Sequence, residues 1–282
     1  MGTIFFLILF PLVVAFVLLV VKADAARGAI VKFAAIVIAA ASIYLAVQYF
    51  RTGDQYFDFH NEAVNYIMMV IEALLAIYII ITGIRHKKYL ASVFAIIQTP
   101  LLIWFELTKG HHIEVVSNMY IDRLSVIMVL IIGIIGTLIC VYALGYMKDF
   151  QHHHAGEKDR RPWFFFVMFL FLAAMFGLVT SNNLIWMYFF WEITSLSSFF
   201  LIGYTKTKEA TNNAFRALIM NLLGGLGFAV GILILGFVYN TLELSTMIAY
   251  GTMYSGIMAI PAAFLAFAGI TKAAQMPFNS WL

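Results

Sequence analysis

"IWMYFFWEITSLSSFFLIGY", Ile185 to Tyr204, is aromatic or aliphatic almost throughout, yet it carries a carboxylate, Glu192, near its middle. About 20 apolar residues in helical form match the hydrocarbon thickness of a bilayer. Similar runs recur along the chain. Of its 282 residues, 63% are hydrophobic and only 11% charged, too few charges to cover a water-exposed surface. The runs do not alternate at period two, which excludes an outer-membrane barrel. The expected fold class is all-α: a polytopic transmembrane helical bundle.

Nine candidate spans follow, roughly Ile4–Val21, Ile30–Phe50, Ala63–Ile84, Tyr89–Glu106, Ile121–Met147, Trp163–Thr180, Leu184–Tyr204, Asn213–Tyr239 and Ser255–Leu282. The fifth and last exceed about 20 residues, so each must tilt, bend or break. The first lacks a basic n-region and an A-x-A cleavage site, and reads as a retained helix. Loops after spans one, three, five and seven hold Lys22, Arg27 and Lys32; Arg85, Lys87 and Lys88; Lys148, Lys158, Arg160 and Arg161; Lys206, Lys208 and Arg216. The opposite loops hold only Arg51, Lys109 and Arg123. This asymmetry places the N-terminus outside the cytoplasm.

Several function classes fall away. The sole cysteine, Cys140, lies in an apolar run, so neither an internal disulfide nor a thiolate metal site can form. His152, His153 and His154 are adjacent but lack a spaced partner, and read as a solvated loop rather than a metal site. There is no glycine-rich phosphate cradle, Rossmann fingerprint or CxxC pair. No cofactor is therefore expected in this chain. Its basic residues follow topology and give no support to nucleic-acid binding.

Glu72, Glu192 and Lys272 remain at membrane depth, where a charge costs about 2.5–3.5 kcal/mol on insertion scales. Such residues face a bundle interior or a water path. They act in transport, or they fasten helices together. At about 100° per residue, Tyr188 and Ser195 share a side of the helix with Glu192, and Thr194 and Ser198 widen the polar sector. An apolar surround and a nearby cation act on a carboxyl in opposite senses, so its proton can be moved by its neighbours. Lys272 sits in "AGITKAAQMPFNSWL". Pro277 cannot donate to the carbonyl of Ala273, so the helix is expected to open just after Lys272. That leaves the Ala273 carbonyl and the Gln275 amide beside the ammonium, backbone tolerated only where it lines a cavity or is buried. Gly224, Gly227 and Gly231 recur at helical spacing for close packing. Arg216 snorkels to the interface or reaches into the bundle.

"SNNLIWMYFFWEITSLSSFFLIGY" resembles the membrane-glutamate helix of the antiporter-like subunits, which include proton-pumping subunits of respiratory complex I and membrane-bound hydrogenases and the large subunits of Mrp-type cation/proton antiporters. "YIDRLSVIM", with Asp122, Leu124 and Ser125, resembles the family's D-x-L-S helix entry. "YALGYM" resembles the end of that helix, and "GITKAAQMPFNSWL" the broken helix with the buried lysine. The resemblance runs from about Tyr120 to Leu282. It implies that Glu192 is the channel glutamate and Lys272 its partner, with Glu72, Tyr188, Ser195, Ser198, Arg216 and Gln275 as candidates for the proton path or its pairing, and Pro277 at the break.

There are departures. Asn182 stands where many relatives have an acid, and Gly224–Gly225 where some do. The chain divides into 1–112, N-terminal helices with two apparent extra ones, and 113–282, the first part of the antiporter-like core. Helix Ala63–Ile84 weakly resembles the family's small three-helix subunits. Family members carry two inverted halves, so a fragment, or a second chain supplying the rest, is expected.

The resemblance implies a non-redox, proton-translocating membrane subunit of an energy-converting oxidoreductase of complex I or membrane-bound hydrogenase type. Other membrane subunits, and iron–sulfur and nickel–iron (NiFe) or flavin subunits in a peripheral arm, would be its partners and would do the redox chemistry. An Mrp-type Na+/H+ antiporter subunit and a structural scaffold with a degenerate channel are the alternatives. The expected location is the lipid bilayer of a prokaryotic cytoplasmic membrane.

Overall fold

The computed structural model describes residues 1–59, 61–153, 158–253 and 255–281, so His154 lies outside the described residues. In chain order the elements are α1 (Gly2–Val20), α2 (Asp24–Tyr49), β1 (Gln55–Phe57), α3 (Glu62–Arg85), α4 (Tyr89–Thr108), β2 (Met119–Ile121), α5 (Arg123–Leu130), a π-helical turn (Ile131–Gly136), α6 (Thr137–His153), α7 (Arg161–Thr180), α8 (Leu184–Ile202), α9 (Lys208–Tyr239), α10 (Leu244–Met253) and α11 (Ser255–Lys272). Among the described residues, 8 helices are long and apolar enough to cross a membrane, with Arg123–His153 counted as one segment. This is an integral, multi-pass helical membrane protein. Contacts divide it into two units, residues 1–57 with 120–180 and residues 58–119 with 181–282.

In the first unit α1 packs along α7, and α2 packs on α5 and α6. Outward side chains such as Val13, Phe33 and Ile36 are exposed, as lipid-facing positions require. The D-x-L-S motif is a helix cap. Asp122 accepts hydrogen bonds from the Ser125 backbone N–H at 2.6 Å and from its hydroxyl at 2.7 Å, satisfying donors that the first turn leaves free. The fifth span, too long for a straight crossing, is interrupted by the π turn. There Gly133 lies so close to Ser42 that a Cβ would collide with it.

In the second unit α3 and α4 form a hairpin, α4 packs on α9, and α9 lies against both α8 and α11. The two helices read as extra in the sequence are therefore walls of the unit that carries Glu192. Ile79, Ala95, Leu196, Phe199, Phe215 and Leu222 form its core. Thr207 caps α9 by accepting from the Ala210 N–H at 3.1 Å. The glycine stripe does pack. A Cβ on Gly224 would strike the Thr271 hydroxyl, and one on Gly227 would come 2.7 Å from the Phe267 ring.

Between the eighth and ninth expected spans the structure adds a helix, Leu244–Met253, α10, too short to cross a bilayer. The last helix opens where expected, just after Lys272, which leaves α11 as a shorter apolar helix, so that among the described residues eight helices rather than nine are long enough to cross. The Gln275 N–H bonds to the Ile270 carbonyl at 3.1 Å and the Ala274 N–H to the Thr271 carbonyl at 3.3 Å. Ala274 has a left-handed φ of 50°. This is a Schellman closure, normally given to glycine at that position. Pro277 lies just beyond it and prevents the helix from resuming.

Candidate functional site

The site is set from the α8 N-terminus inwards. Asn183 caps α8 by accepting from the Ile185 N–H at 2.9 Å, and donates its own amide to Asn118 Oδ1 at 2.7 Å. Asn182 is buried beside it, donating to the Ser117 carbonyl at 2.8 Å and accepting from the Ser245 N–H at 3.0 Å. These amide pairs satisfy the backbone of the connecting segments, so α8 enters the unit in one fixed rotation.

That rotation turns Glu192 towards α4 and α9. Glu192 is 7% exposed. Gln98 of α4, itself 1% exposed, donates from Nε2 to Glu192 Oε1 at 3.2 Å. Gly225 of α9 faces both. A Cβ there would lie 3.1 Å from Glu192 Oε1 and 3.2 Å from Gln98 Oε1. The absent side chain makes room for a glutamine–glutamate contact between three helices.

Lys272 comes from the end of α11. Its Nζ donates to Ser195 Oγ at 2.8 Å, approaches the Trp191 carbonyl at 3.5 Å, and stands 4.9 Å from the Trp191 ring centroid. The Trp191 carbonyl also accepts from Thr194 and Ser195, which concentrates partners for the ammonium at this turn. Glu192 and Lys272 lie within electrostatic reach of one another. Among the described residues they form no direct ion pair; Ser195, one turn after Glu192, holds the ammonium instead.

The other sequence candidates divide. Tyr188 is buried one turn before Glu192 and meets Phe228 edge-on at 5.7 Å. Glu72 on α3 is 6% exposed and within electrostatic reach of Glu192. Ser198 donates to the Thr194 carbonyl at 3.0 Å and so serves its own helix. Arg216 is exposed on α9, more than two turns before Gly225. Gln275 is exposed, and its backbone N–H is occupied by Ile270. Pro277 is exposed past the helix end. Gln98 and Glu106 were not singled out in the sequence, and Gly225 was noted only as a place where some relatives carry an acid. Gln98 is an uncharged amide and raises no topological alarm, Glu106 sits at a span end, and Gly225 adjoins a stripe already explained by packing.

Two family models match the chain. "NADH:quinone oxidoreductase/Mrp antiporter, TM" covers residues 181–282, and "NADH-Ubiquinone oxidoreductase (complex I), chain 5 N-terminus" covers residues 104–156. The chain belongs to the antiporter-like membrane-subunit family. Similar family members include the Na(+)/H(+) antiporter subunit A1 of Staphylococcus haemolyticus, 32% identical over 69% of this chain and 24% of the relative. A putative antiporter subunit of the same organism is 34% identical over 68% of this chain and 24% of the relative. The chain thus spans about a quarter of the length of these relatives. A chain of the structure titled "membrane-bound sulfane sulfur reductase (MBS), an archaeal respiratory membrane complex" shares the fold, with a TM-score of 0.66 at 17% identity over 100% of this chain and 47% of that one.

Proposed function

We propose that this antiporter-like subunit carries protons through Glu192, with Lys272 controlling whether Glu192 holds one. One observation carries the reading: one turn from a buried carboxyl, a lysine rests on a serine rather than on the carboxyl itself. A closed pair would be a costly fastener, because taking two opposite charges out of water often costs as much as their attraction returns. A lysine with an alternative partner can move. Approach to Glu192 favours the carboxylate and departure favours the protonated acid. Each pKa unit moved this way is worth about 1.36 kcal/mol, so a few units are useful work.

The relatives named as antiporter subunits favour a multisubunit cation/proton antiporter as the setting. The shared fold with a respiratory membrane complex favours a second setting, the proton-translocating arm of an energy-converting oxidoreductase with its redox centres in partner subunits. The subunits that co-purify distinguish the two. Iron–sulfur, NiFe or flavin proteins mark the second.

The test is proton translocation by the assembled complex in vesicles, normalised to incorporated subunit. Glu192→Gln keeps size and hydrogen bonding but cannot titrate. It is expected to assemble and to lose about a hundredfold in rate. Glu192→Asp is expected to retain part of the activity. Wild-type transport by assembled Glu192→Gln would leave only the fastener role.

A further inference from the structure

A cavity of about 210 Å³ opens between α3, α4 and the start of α8, and Asn65, Met69, Glu106, Leu107 and Trp186 are among the residues lining it. It lies where α3 begins, α4 ends and α8 begins, the end opposite the basic Arg85–Lys88 and Lys206–Lys208 loops. Trp186 Nε1 donates to Asn65 Oδ1 at 2.8 Å and fixes α3 to α8 at this mouth. The volume accommodates several waters, and its walls offer them polar partners.

Two helix faces lead inward from it. On α3, Asn65, Met69 and Glu72 succeed one another at spacings of four and three, so Glu72 lies about 4.5 Å deeper along the axis than the lining residue Met69. On α4, Glu106, Leu102 and Gln98 succeed one another at spacings of four. This face starts at the cavity and ends at the glutamine bonded to Glu192. Glu72 is within electrostatic reach of both Glu106 and Glu192. Among the described residues, its buried Oε1 has no hydrogen-bond partner, and neither does Gln98 Oε1. Unsatisfied acceptors at this depth are costly where a structure is merely fastened, but they are natural relay points for a proton or a transient water.

We propose that the α3–α4 hairpin builds an entry limb for protons from the non-cytoplasmic face, running from the cavity through Glu106 and Glu72, past Gln98, to Glu192. The step is proton transfer alone. Each carboxyl accepts a proton from water or the preceding acid and passes it on, with no bond made elsewhere. The limb rests on the proton-carrier reading of Glu192 and adds the side and the route by which that proton arrives.

The experiment uses the assembled complex in vesicles of known orientation. Glu106→Ala and Glu72→Gln are each expected to slow translocation about a hundredfold, while Glu106→Asp retains activity. Formate added on the cavity side is expected to restore Glu106→Ala, because the small acid fits the vacated space. In a Cys140→Ser background, Leu107→Cys is expected to lose its transport when a bulky thiol reagent is added from the cavity side, measured against the same preparation before labelling. That block tests the route even if Glu106→Ala fails to assemble. Three results would overturn the limb: rescue by formate only from the basic-loop side, undiminished transport by labelled Leu107→Cys, or wild-type rates in Glu106→Ala and Glu72→Gln. Each would leave the proposed function standing, provided Glu192→Gln is inactive in the same preparation. An active Glu192→Gln would overturn that function itself.

Discussion

Ser195 accepts a hydrogen bond from the Lys272 ammonium at 2.8 Å, and in the proposed function this contact holds the lysine off the neighbouring carboxyl. Removing that hydroxyl leaves the lysine one strong partner fewer and drives it towards Glu192. A hydrogen bond to a charged group contributes about 1.5–3 kcal/mol, so Ser195→Ala is expected to slow translocation by about tenfold or more, with Ser195→Thr close to wild type. Lys272→Arg is expected to rescue poorly, because guanidinium barely deprotonates and its planar fork needs a different arrangement of acceptors. Both effects are read as proton flux per assembled complex. Wild-type flux in Ser195→Ala would show that the serine contact is incidental. At this scale the sequence pointed to some of the residues that the structure brings together and not to others. Glu192 and Lys272 stood out because a charge in an apolar run is expensive, and Ser195 because it follows Glu192 by one turn. Gln98 did not stand out, since an amide costs less and its partner lies on another helix.

Helix packing in the second unit depends on missing side chains. α9 comes close enough to α11 that a methyl group at Gly224 would meet the Thr271 hydroxyl, on the residue just before Lys272. Gly224→Ala is therefore expected to push the end of α11 outward. The cost is about 1–3 kcal/mol, seen as a lower unfolding temperature of the solubilised complex together with reduced flux. Gly145, where an added Cβ meets nothing within 4 Å, is the control: Gly145→Ala is expected to leave both unchanged. Equal behaviour of the two variants would refute the close approach. The end of α11 also shows what local rules predict and what they miss. Pro277 announced a break near Lys272, and the helix does stop there. The stop itself is made by Ala274 in a left-handed turn, a conformation that an alanine does not advertise.

For the whole molecule the basic loops set the expected orientation. In a Cys140→Ser background, single cysteines at the exposed positions Glu114 and Lys208 should label from opposite sides. An impermeant thiol reagent added outside intact cells is expected to reach the first and not the second; the reverse pattern would invert the topology. The sequence by itself determined that the chain is a multi-pass helical bundle, roughly where its spans lie, and which buried charges need explaining. Those properties follow from hydrophobicity and length, and each helix satisfies its own backbone without reference to its neighbours. Only the tertiary structure decided which faces meet: Gln98 on Glu192 beside Gly225, Lys272 on Ser195, and the α3–α4 hairpin as the wall of a cavity. A helix that is apolar all round does not reveal which side turns inward, because lipid is as apolar as the protein interior. The partners of Glu192 therefore had to come from how the helices pack.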